Sequence, residues 1–152
     1  MKIERKNNGR ITLILNMRSR PKERAAFNYK TKRAYTKSNT RKFEGDLNSA
    51  CSFLMAKNKY KTFSKDQAIG LKVFIYLSTP KSWSKQKKKD ALDGKIFPIT
   101  ANVGDIDNHL KSILDGCNGI LYEDDRSIVD IESKIRYAET DSIIIIAEEV
   151  NQ

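Results

Sequence analysis

The chain has 152 residues, of which 39% are hydrophobic and 32% charged, so it is long enough to bury the core of one domain of ordinary size. Its formal net charge of +10 favours a polyanionic partner. No apolar run approaches membrane-spanning length, and residues 1–6 lack the apolar stretch of a signal peptide. We therefore expect a cytoplasmic protein that is neither secreted nor inserted in a membrane.

Charge is divided unevenly along the chain. Residues 1–104 contain 25 Lys and Arg against 7 Asp and Glu, whereas residues 105–152 contain 4 against 12. A basic surface that grips nucleic acid around an acidic metal centre would produce this division. A basic surface that is merely soluble would account for the total charge but less well for its segregation.

The first predicted element is a strand, in which Ile11, Leu13 and Leu15 alternate with residues of the other face. A long basic segment, residues 17–36, follows, and Pro21 interrupts any regular pattern in it. Cations and aromatic rings on a loop suit phosphate contacts and stacking on unpaired bases, although a basic hairpin that is only solvated is the alternative. The cations that we assign to DNA contact here are Arg18, Arg20, Lys22, Arg24, Lys30, Lys32 and Arg33.

A helix and a strand are predicted next. Ser38-Asn39-Thr40 supplies capping side chains for a helix that runs to about Lys57. Alternation of apolar residues over 69–77 then predicts the clearest strand of the chain, and its second face is apolar enough for something to cover it as well. Cys51 and Cys117 lie on predicted apolar helix faces without a partner at zinc-ligand spacing, so we interpret both as core residues.

A short lysine-rich helix is predicted after this strand, capped by Ser82 or Ser84 and ending at Leu92. Its cations would be attracted to phosphates at the edge of a DNA channel. We interpret Trp83 as the packing anchor of this helix in preference to a stacking wedge. The cations that we assign to DNA contact here are Lys85, Lys87, Lys88 and Lys89.

The stretch from Gly104 to Asp125 carries the chemistry. Apolar residues at helical spacing predict a helix that begins near Asp105 and Asp107 and ends at Asn118-Gly119. Lys111 and Asp115 follow Asp107 at successive steps of four, so all three lie on one edge of that helix. A short extended piece then leads to Asp124 and Asp125, which a returning strand could bring to the first two carboxylates.

This set of side chains suits phosphodiester hydrolysis with Mg²⁺, or with Mn²⁺ in its place. Hard cations prefer carboxylate oxygens, and a lysine supplies a compact charge for the scissile phosphate. Asp105, Asp107 and Asp125 are the predicted metal ligands, with Asp124 competing for the third place and Lys111 as the phosphate-facing cation. An isolated Asp-x-Asp would be interpreted as a helix cap, but this combination favours the metal site.

His109 is the single histidine of the chain. It points away from the edge that carries Asp107 and Lys111, so we expect it at a solvated or interface position and assign it no ligand or base role. With no second histidine, the sequence argues against zinc hydrolase chemistry and against a Ser-His triad.

Two strands close the chain. Alternation over 129–137 predicts a half-buried strand, and Ile143 to Ile146 predicts a strand that is buried on both faces and pairs with it as a hairpin. The predicted fold class is therefore α/β (α+β). One domain, residues 1–152, would contain a mixed sheet of about four main strands backed by two longer helices.

Several motifs resemble those of the RusA-type Holliday junction resolvases, which phages and prophages often encode. The resemblance rests first on Asp105-Ile106-Asp107-Asn108 with Lys111, Asp115 and Gly119, and on Asp124-Asp125 followed by Ile128-Val129-Asp130. The upstream segment Pro80-Lys81-Ser82-Trp83-Ser84-Lys85 is similar to that family's Pro-x-Ser-Trp-Ser-Lys segment. The likeness covers most of the chain and is weakest at the N-terminus.

The resemblance implies a Mg²⁺-dependent endonuclease that cuts four-way DNA junctions as a homodimer, whereas the residues alone reach only a metal-dependent phosphodiesterase that binds nucleic acid. Paired cuts require two catalytic clusters, and a two-fold dimer matches the symmetry of the junction. We expect the interface on the strand at 69–77 and the apolar hairpin at 128–147. The alternative is a non-catalytic nucleic-acid-binding protein whose acidic cluster is structural.

Overall fold

A computed structural model describes residues 9–24, 26–35 and 37–151 of the chain, so the expectation about residues 1–6 lies outside the described residues. The elements in chain order are β1 (Arg10–Leu15), β2 (Ala26–Asn28), β3 (Arg33–Tyr35), α1 (Ser38–Lys57), β4 (Ile69–Ser78), α2 (Lys85–Leu92), α3 (Ile106–Cys117), a 3₁₀ turn (Asp125–Ser127), β5 (Ile128–Ala138) and β6 (Ser142–Glu149).

Four strands form one mixed sheet in the order β1-β6-β4-β5, and β2 and β3 form a separate hairpin. Strand β6 runs antiparallel to both β1 and β4, while β4 and β5 are parallel. With α1 and α3 as the two longer helices, this arrangement confirms the predicted fold class.

The predicted hairpin of the last two strands is wrong. Strand β6 inserts between β1 and β4, and β5 pairs with β4 at the sheet edge. The run of four isoleucines, Ile143 to Ile146, suits a central strand with neighbours on both sides, whereas β5 carries charges such as Asp130, Glu132 and Lys134 that an exposed edge tolerates. The short connection between β5 and β6 therefore did not make these two strands neighbours. The apolar β6 lies in the centre of the sheet, and the charged β5 lies at its edge.

Among the described residues, helices cover one face of the sheet and no helix covers the other, which we call the open face. Ile11, Val73, Ile75 and Ile145 are fully buried in the core beneath α1 and α3. On the opposite face Ile14 is 58% exposed, and the alternate residues of β4 and β6 are half-buried or exposed. The expectation that β6 is buried on both faces is therefore only half met, and the second face of β4 is not fully covered.

Helices α1 and α3 pack closely at Gly116, where an added Cβ atom would lie 2.6 Å from Cδ2 of Leu47. The two buried thiols meet at the same interface, with 3.9 Å between the Sγ atoms of Cys51 and Cys117. Both cysteines are core residues, as predicted.

The sequence predicted the cap of α2 correctly but not the cap of α1. Ser84 caps α2 by accepting a hydrogen bond from the Lys87 backbone N at 3.2 Å, as expected. Helix α1 begins at Ser38, so Lys37 holds the cap position, and a lysine side chain has no acceptor for a capping hydrogen bond. The Thr40 hydroxyl lies inside the helix and accepts a long-range hydrogen bond from the Glu23 backbone N at 3.0 Å.

Trp83 anchors α2 on the sheet. Its ring packs edge-on against Tyr137, with 5.2 Å between centroids, and the Lys87 ammonium lies 4.1 Å above it. The packing interpretation of Trp83 is confirmed. Among the described residues, no helix combines the length and the apolar character needed to cross a membrane.

Candidate active site

The start of α3 presents two carboxylates to solvent. Asp105 occupies the cap position with extended backbone angles, and its carbonyl accepts the first helical hydrogen bonds from the backbone N–H groups of Asn108 and His109, both at 3.1 Å. Its side chain makes no capping hydrogen bond. An aspartate at a helix N-terminus ordinarily accepts a hydrogen bond from a backbone N–H of the first turn. Since Asp105 does not, its carboxylate oxygens remain available to another ligand. Asp107 follows in the first turn and is also exposed.

The predicted edge of α3 divides into two ion pairs. The Lys111 ammonium lies 3.8 Å from Oδ2 of Asp107, and both side chains are largely exposed. One helical turn further on, Asp115 binds the ammonium of Lys22, which also lies 3.5 Å from Oε1 of Glu44. The hydrogen bond to Asp115 raises the pKa of Lys22. Lys22 therefore ties the segment after β1 to α1 and α3, and this geometry lends no support to its assignment as a DNA contact.

The second acidic group stands at the 3₁₀ turn. Asp124 caps the turn, because one carboxylate oxygen accepts from the Arg126 backbone N at 2.9 Å and the other from its Nε at 3.1 Å. The backbone hydrogen bond, above all, lowers the pKa of Asp124. Asp125 is the first residue of the turn, and it is exposed.

Tyr122 connects this turn to α3. Its buried hydroxyl donates to the Leu114 carbonyl at 2.7 Å. Burial is the main cause that raises the pKa of Tyr122, and the negative charges of Asp125 and Asp115 add to it. The hydrogen bond to Leu114 places the segment that leads into the 3₁₀ turn beside the second half of α3.

The donor set fits a hard cation in its chemistry. All four predicted ligands are carboxylates, the type that Mg²⁺ and Mn²⁺ prefer. Within the described ranges, however, no three His, Cys, Asp or Glu side chains converge into a group that could hold a metal ion. The predicted ligands stand as two groups, Asp105 with Asp107 at the start of α3 and Asp124 with Asp125 at the turn.

Residues 19–23, which we call the strap, lie across α1 and α3. The Ser112 hydroxyl donates to the Arg20 carbonyl at 2.6 Å, and the Lys22 backbone N donates to the Asn108 carbonyl at 2.9 Å. Gly104 has a φ of +84°, and a Cβ atom there would lie 2.7 Å from Pro21 of the strap. The first part of the basic segment is therefore packed against the acidic motif instead of forming a free loop.

His109 is buried beneath the strap, so the expected solvated or interface position is wrong. Its Nε2 lies 2.7 Å from the Val103 carbonyl, which can only accept, so Nε2 donates and Nδ1 accepts from the Ser19 hydroxyl at 2.7 Å. Burial, above all, lowers the pKa of His109. The helical wheel showed that His109 leaves the acidic edge, but no sequence signal showed that the strap covers the opposite side.

The basic side chains assigned to DNA contact lie in residues 18–24, in the β2–β3 hairpin and in α2. Arg18 is exposed and pairs with Asp141 at 3.0 Å. The other exposed cations of the first two segments are Arg20, Arg24, Lys30, Lys32 and Arg33. In α2, Lys85, Lys87 and Lys89 are exposed and Lys88 is half-buried. Phe27 and Tyr29 pack edge-on at 5.0 Å between centroids on the hairpin, with both rings exposed. DNA contact by these groups stays a prediction.

Sequence reasoning also missed a groove beside Asp105. The groove has a volume of about 520 Å³, and its lining includes Phe97, Ile99, Ile106 and Arg136. Residues 95–101 have no regular hydrophobic period, so the sequence predicts only a connecting loop there. Apolar side chains in such a loop were the available signal.

Comparison with known proteins supports the family resemblance of the sequence motifs. The family model described as Endodeoxyribonuclease RusA matches residues 17–147. An uncharacterised protein of Bacillus subtilis (strain 168), YqaN, is 33% identical over 85 residues, which are 55% of this chain and 58% of that protein. The match therefore spans a little under three fifths of YqaN. Because the family model spans nearly the whole chain, this protein belongs to the RusA endodeoxyribonuclease family.

Proposed function

We propose that this protein is a Mg²⁺-dependent, structure-selective endonuclease that resolves four-way DNA junctions by paired cuts during recombination and repair. The observation that carries the proposal is the family match over residues 17–147, which includes both acidic groups and the lysine-rich helix. The exposed Asp105, Asp107 and Lys111 at the start of α3 support it, because a scissile phosphate can approach them from solvent.

Asp105, Asp107 and Asp125 would hold the metal ion, which supplies a nucleophilic water and positive charge at the phosphate when it is bound. Asp125 is the better third ligand, because both carboxylate oxygens of Asp124 already accept hydrogen bonds from Arg126. Lys111 would place its ammonium against the non-bridging oxygens of the phosphate, where negative charge develops during cleavage.

The decisive experiment is incubation of a synthetic immobile four-way junction with the protein, with and without Mg²⁺. We expect paired cuts in Mg²⁺ and none in its absence. Asp107→Asn keeps the size of the side chain but removes the ligand charge, so it should bind the junction and fail to cut it. Asp66→Asn, an exposed aspartate outside both acidic groups, is the matched control. If the Asp107→Asn protein cuts the junction at near the parent rate, Asp107 is not a metal ligand.

Lys111 has a matched control on another helix. Lys42 and Asp46 form the same kind of exposed i,i+4 pair on α1, at 3.0 Å. We expect Lys111→Ala to slow cleavage far more than it weakens junction binding, because one phosphate contact is a small part of the total affinity. Lys42→Ala should change neither strongly. Equal losses of binding and cleavage in Lys111→Ala would make this lysine an ordinary phosphate contact.

A homodimer forms part of the proposal, because a junction needs two coordinated cuts and each chain carries one set of candidate ligands. The open sheet face offers apolar side chains to a second copy, Phe74 and Tyr76 of β4 and Ile144 and Ile146 of β6, all half-buried in the single chain. Light scattering at micromolar concentration should give about twice the chain mass of 17.4 kDa. Ile144→Glu should shift the mass to that of one chain, and a parent protein that is monomeric on the junction yet makes paired cuts would refute the dimer.

A non-catalytic nucleic-acid-binding protein is the second candidate, and the separation of the two acidic groups in the described residues favours it. Junction binding without cleavage in either Mg²⁺ or Mn²⁺ would select this alternative.

A further inference from the structure

The groove beside Asp105 exposes apolar side chains that the core does not use. Ile99 is 87% exposed and Phe97 is 50% exposed, and Ile106 of α3 adds a third partly exposed apolar side chain. The groove has a volume of about 520 Å³, which lies in the range of small-molecule sites, roughly 300–1,000 Å³. The groove is therefore large enough for a planar ring and its surroundings.

Charge distinguishes this groove from an ordinary apolar patch. The Arg136 guanidinium lies over the ring of Phe97, 4.9 Å from its centroid, while half of the Phe97 side chain stays exposed. Asp105, a proposed metal ligand, belongs to the same lining. An occupant that offers an apolar ring to Phe97 and negative charge to Arg136 matches the groove, and a nucleotide combines those two properties.

We propose that this groove binds an unstacked nucleobase of the DNA strand that is cut, next to the branch point. The inference rests on the proposed function, because it assumes that the scissile phosphate sits at Asp105. A phosphate held there places its neighbouring nucleotides beside the groove. The base stacks on Phe97 and packs against Ile99, while Arg136 contacts the phosphate of the same nucleotide. Bases inside an intact duplex are already stacked, so the groove selects DNA in which a base is free to turn outward.

The test is a coupling experiment between protein and DNA. Binding is measured without divalent metal, so that no strand is cut, on a four-way junction and on a set in which each nucleotide flanking the branch point is in turn replaced by an abasic site. We expect Phe97→Ala to weaken binding of the intact junction about tenfold, as loss of one stacked base does. One abasic position should weaken binding of the parent protein to a similar extent. That abasic junction should bind Phe97→Ala no worse than the intact junction does.

Controls separate the groove from the fold and from general DNA affinity. Phe53 on α1 is 65% exposed, so Phe53→Ala removes a similar aromatic surface elsewhere and should bind the junction as the parent does. Binding of linear duplex should be unchanged in Phe97→Ala, because no base is free there. If Phe97→Ala lowers the thermal midpoint, Ile99→Ala replaces it, since that side chain is almost fully exposed.

The outcomes distinguish this inference from the function on which it rests. A parent protein that prefers the junction over duplex, with no abasic position coupled to Phe97 or Ile99, overturns the groove assignment and leaves the proposed function intact. A parent protein that shows no preference for the junction overturns the function and the groove assignment together.

Discussion

A single methyl group added at Gly116 should disturb the packing of the helix that carries the acidic motif. It lies in α3 against α1, and an added Cβ atom would come within 2.6 Å of Leu47 Cδ2 and 3.2 Å of both its Cβ and Cγ. Because three carbons of a fully buried side chain crowd the same point, a rotation of Leu47 cannot relieve all three contacts. Gly116→Ala should therefore push the two helices apart.

The expected cost follows from two opposing effects. Overpacking a core by one methyl group costs about 1–3 kcal/mol, while alanine is favoured over glycine inside a helix by about 0.5–1 kcal/mol. We expect Gly116→Ala to lower the free energy of unfolding by about 1–2 kcal/mol. Gly45 in α1 has no atom within 4 Å of its would-be Cβ, so Gly45→Ala should raise that free energy by about 0.5–1 kcal/mol. The two glycines thus predict changes of opposite sign.

Urea denaturation of four proteins tests this reasoning: the parent, Gly116→Ala, Leu47→Ala and the double variant. Leu47→Ala alone should cost about 2–5 kcal/mol, because it leaves a cavity in the core. Leu47→Ala removes the Cδ2 and Cγ atoms and leaves only the Cβ contact at 3.2 Å, so Gly116→Ala should cost clearly less in that background. A cost of Gly116→Ala that is equal in both backgrounds would show that contact with Cδ2 and Cγ of Leu47 is not its cause.

Three further predictions use other contacts. Burial lowers the pKa of His109 below its ordinary value of 6.5, so the unfolded chain takes up the proton first, and stability should fall as the pH drops below about 6.5. His109→Gln should remove that part of the pH dependence in thermal unfolding, and identical pH profiles would contradict it. Tyr122→Phe loses the hydrogen bond to the Leu114 carbonyl and should cost about 1 kcal/mol in urea denaturation, whereas an unchanged midpoint would discount that bond. The logarithm of the junction binding constant should fall linearly with the logarithm of salt concentration, and a binding constant independent of salt would show that the basic surface does not contribute to binding.

Local chemistry made much of the chain predictable. The periods of β1, α1, β4 and α3 come from neighbouring residues only, and the structure places each of these elements close to its predicted bounds. The Ser84 cap is local as well, since the hydroxyl and the amide that it binds are three residues apart. The two acidic groups could be found because aspartates at a helix start and after a turn are visible in the order of residues.

Contacts between distant segments decided what the sequence could not show. Residues 19–23 belong to the segment that was predicted to be a basic loop, yet hydrogen bonds to α1 and α3 hold them against these helices. Packing of this strap buries His109 and pairs Lys22 with Asp115. The insertion of β6 between β1 and β4 likewise depended on three strands at once. Residue types and periods alone determine which side chains can bury, pair or carry charge. The tertiary structure decides which partner each one meets, because those partners are brought together only when the whole core forms.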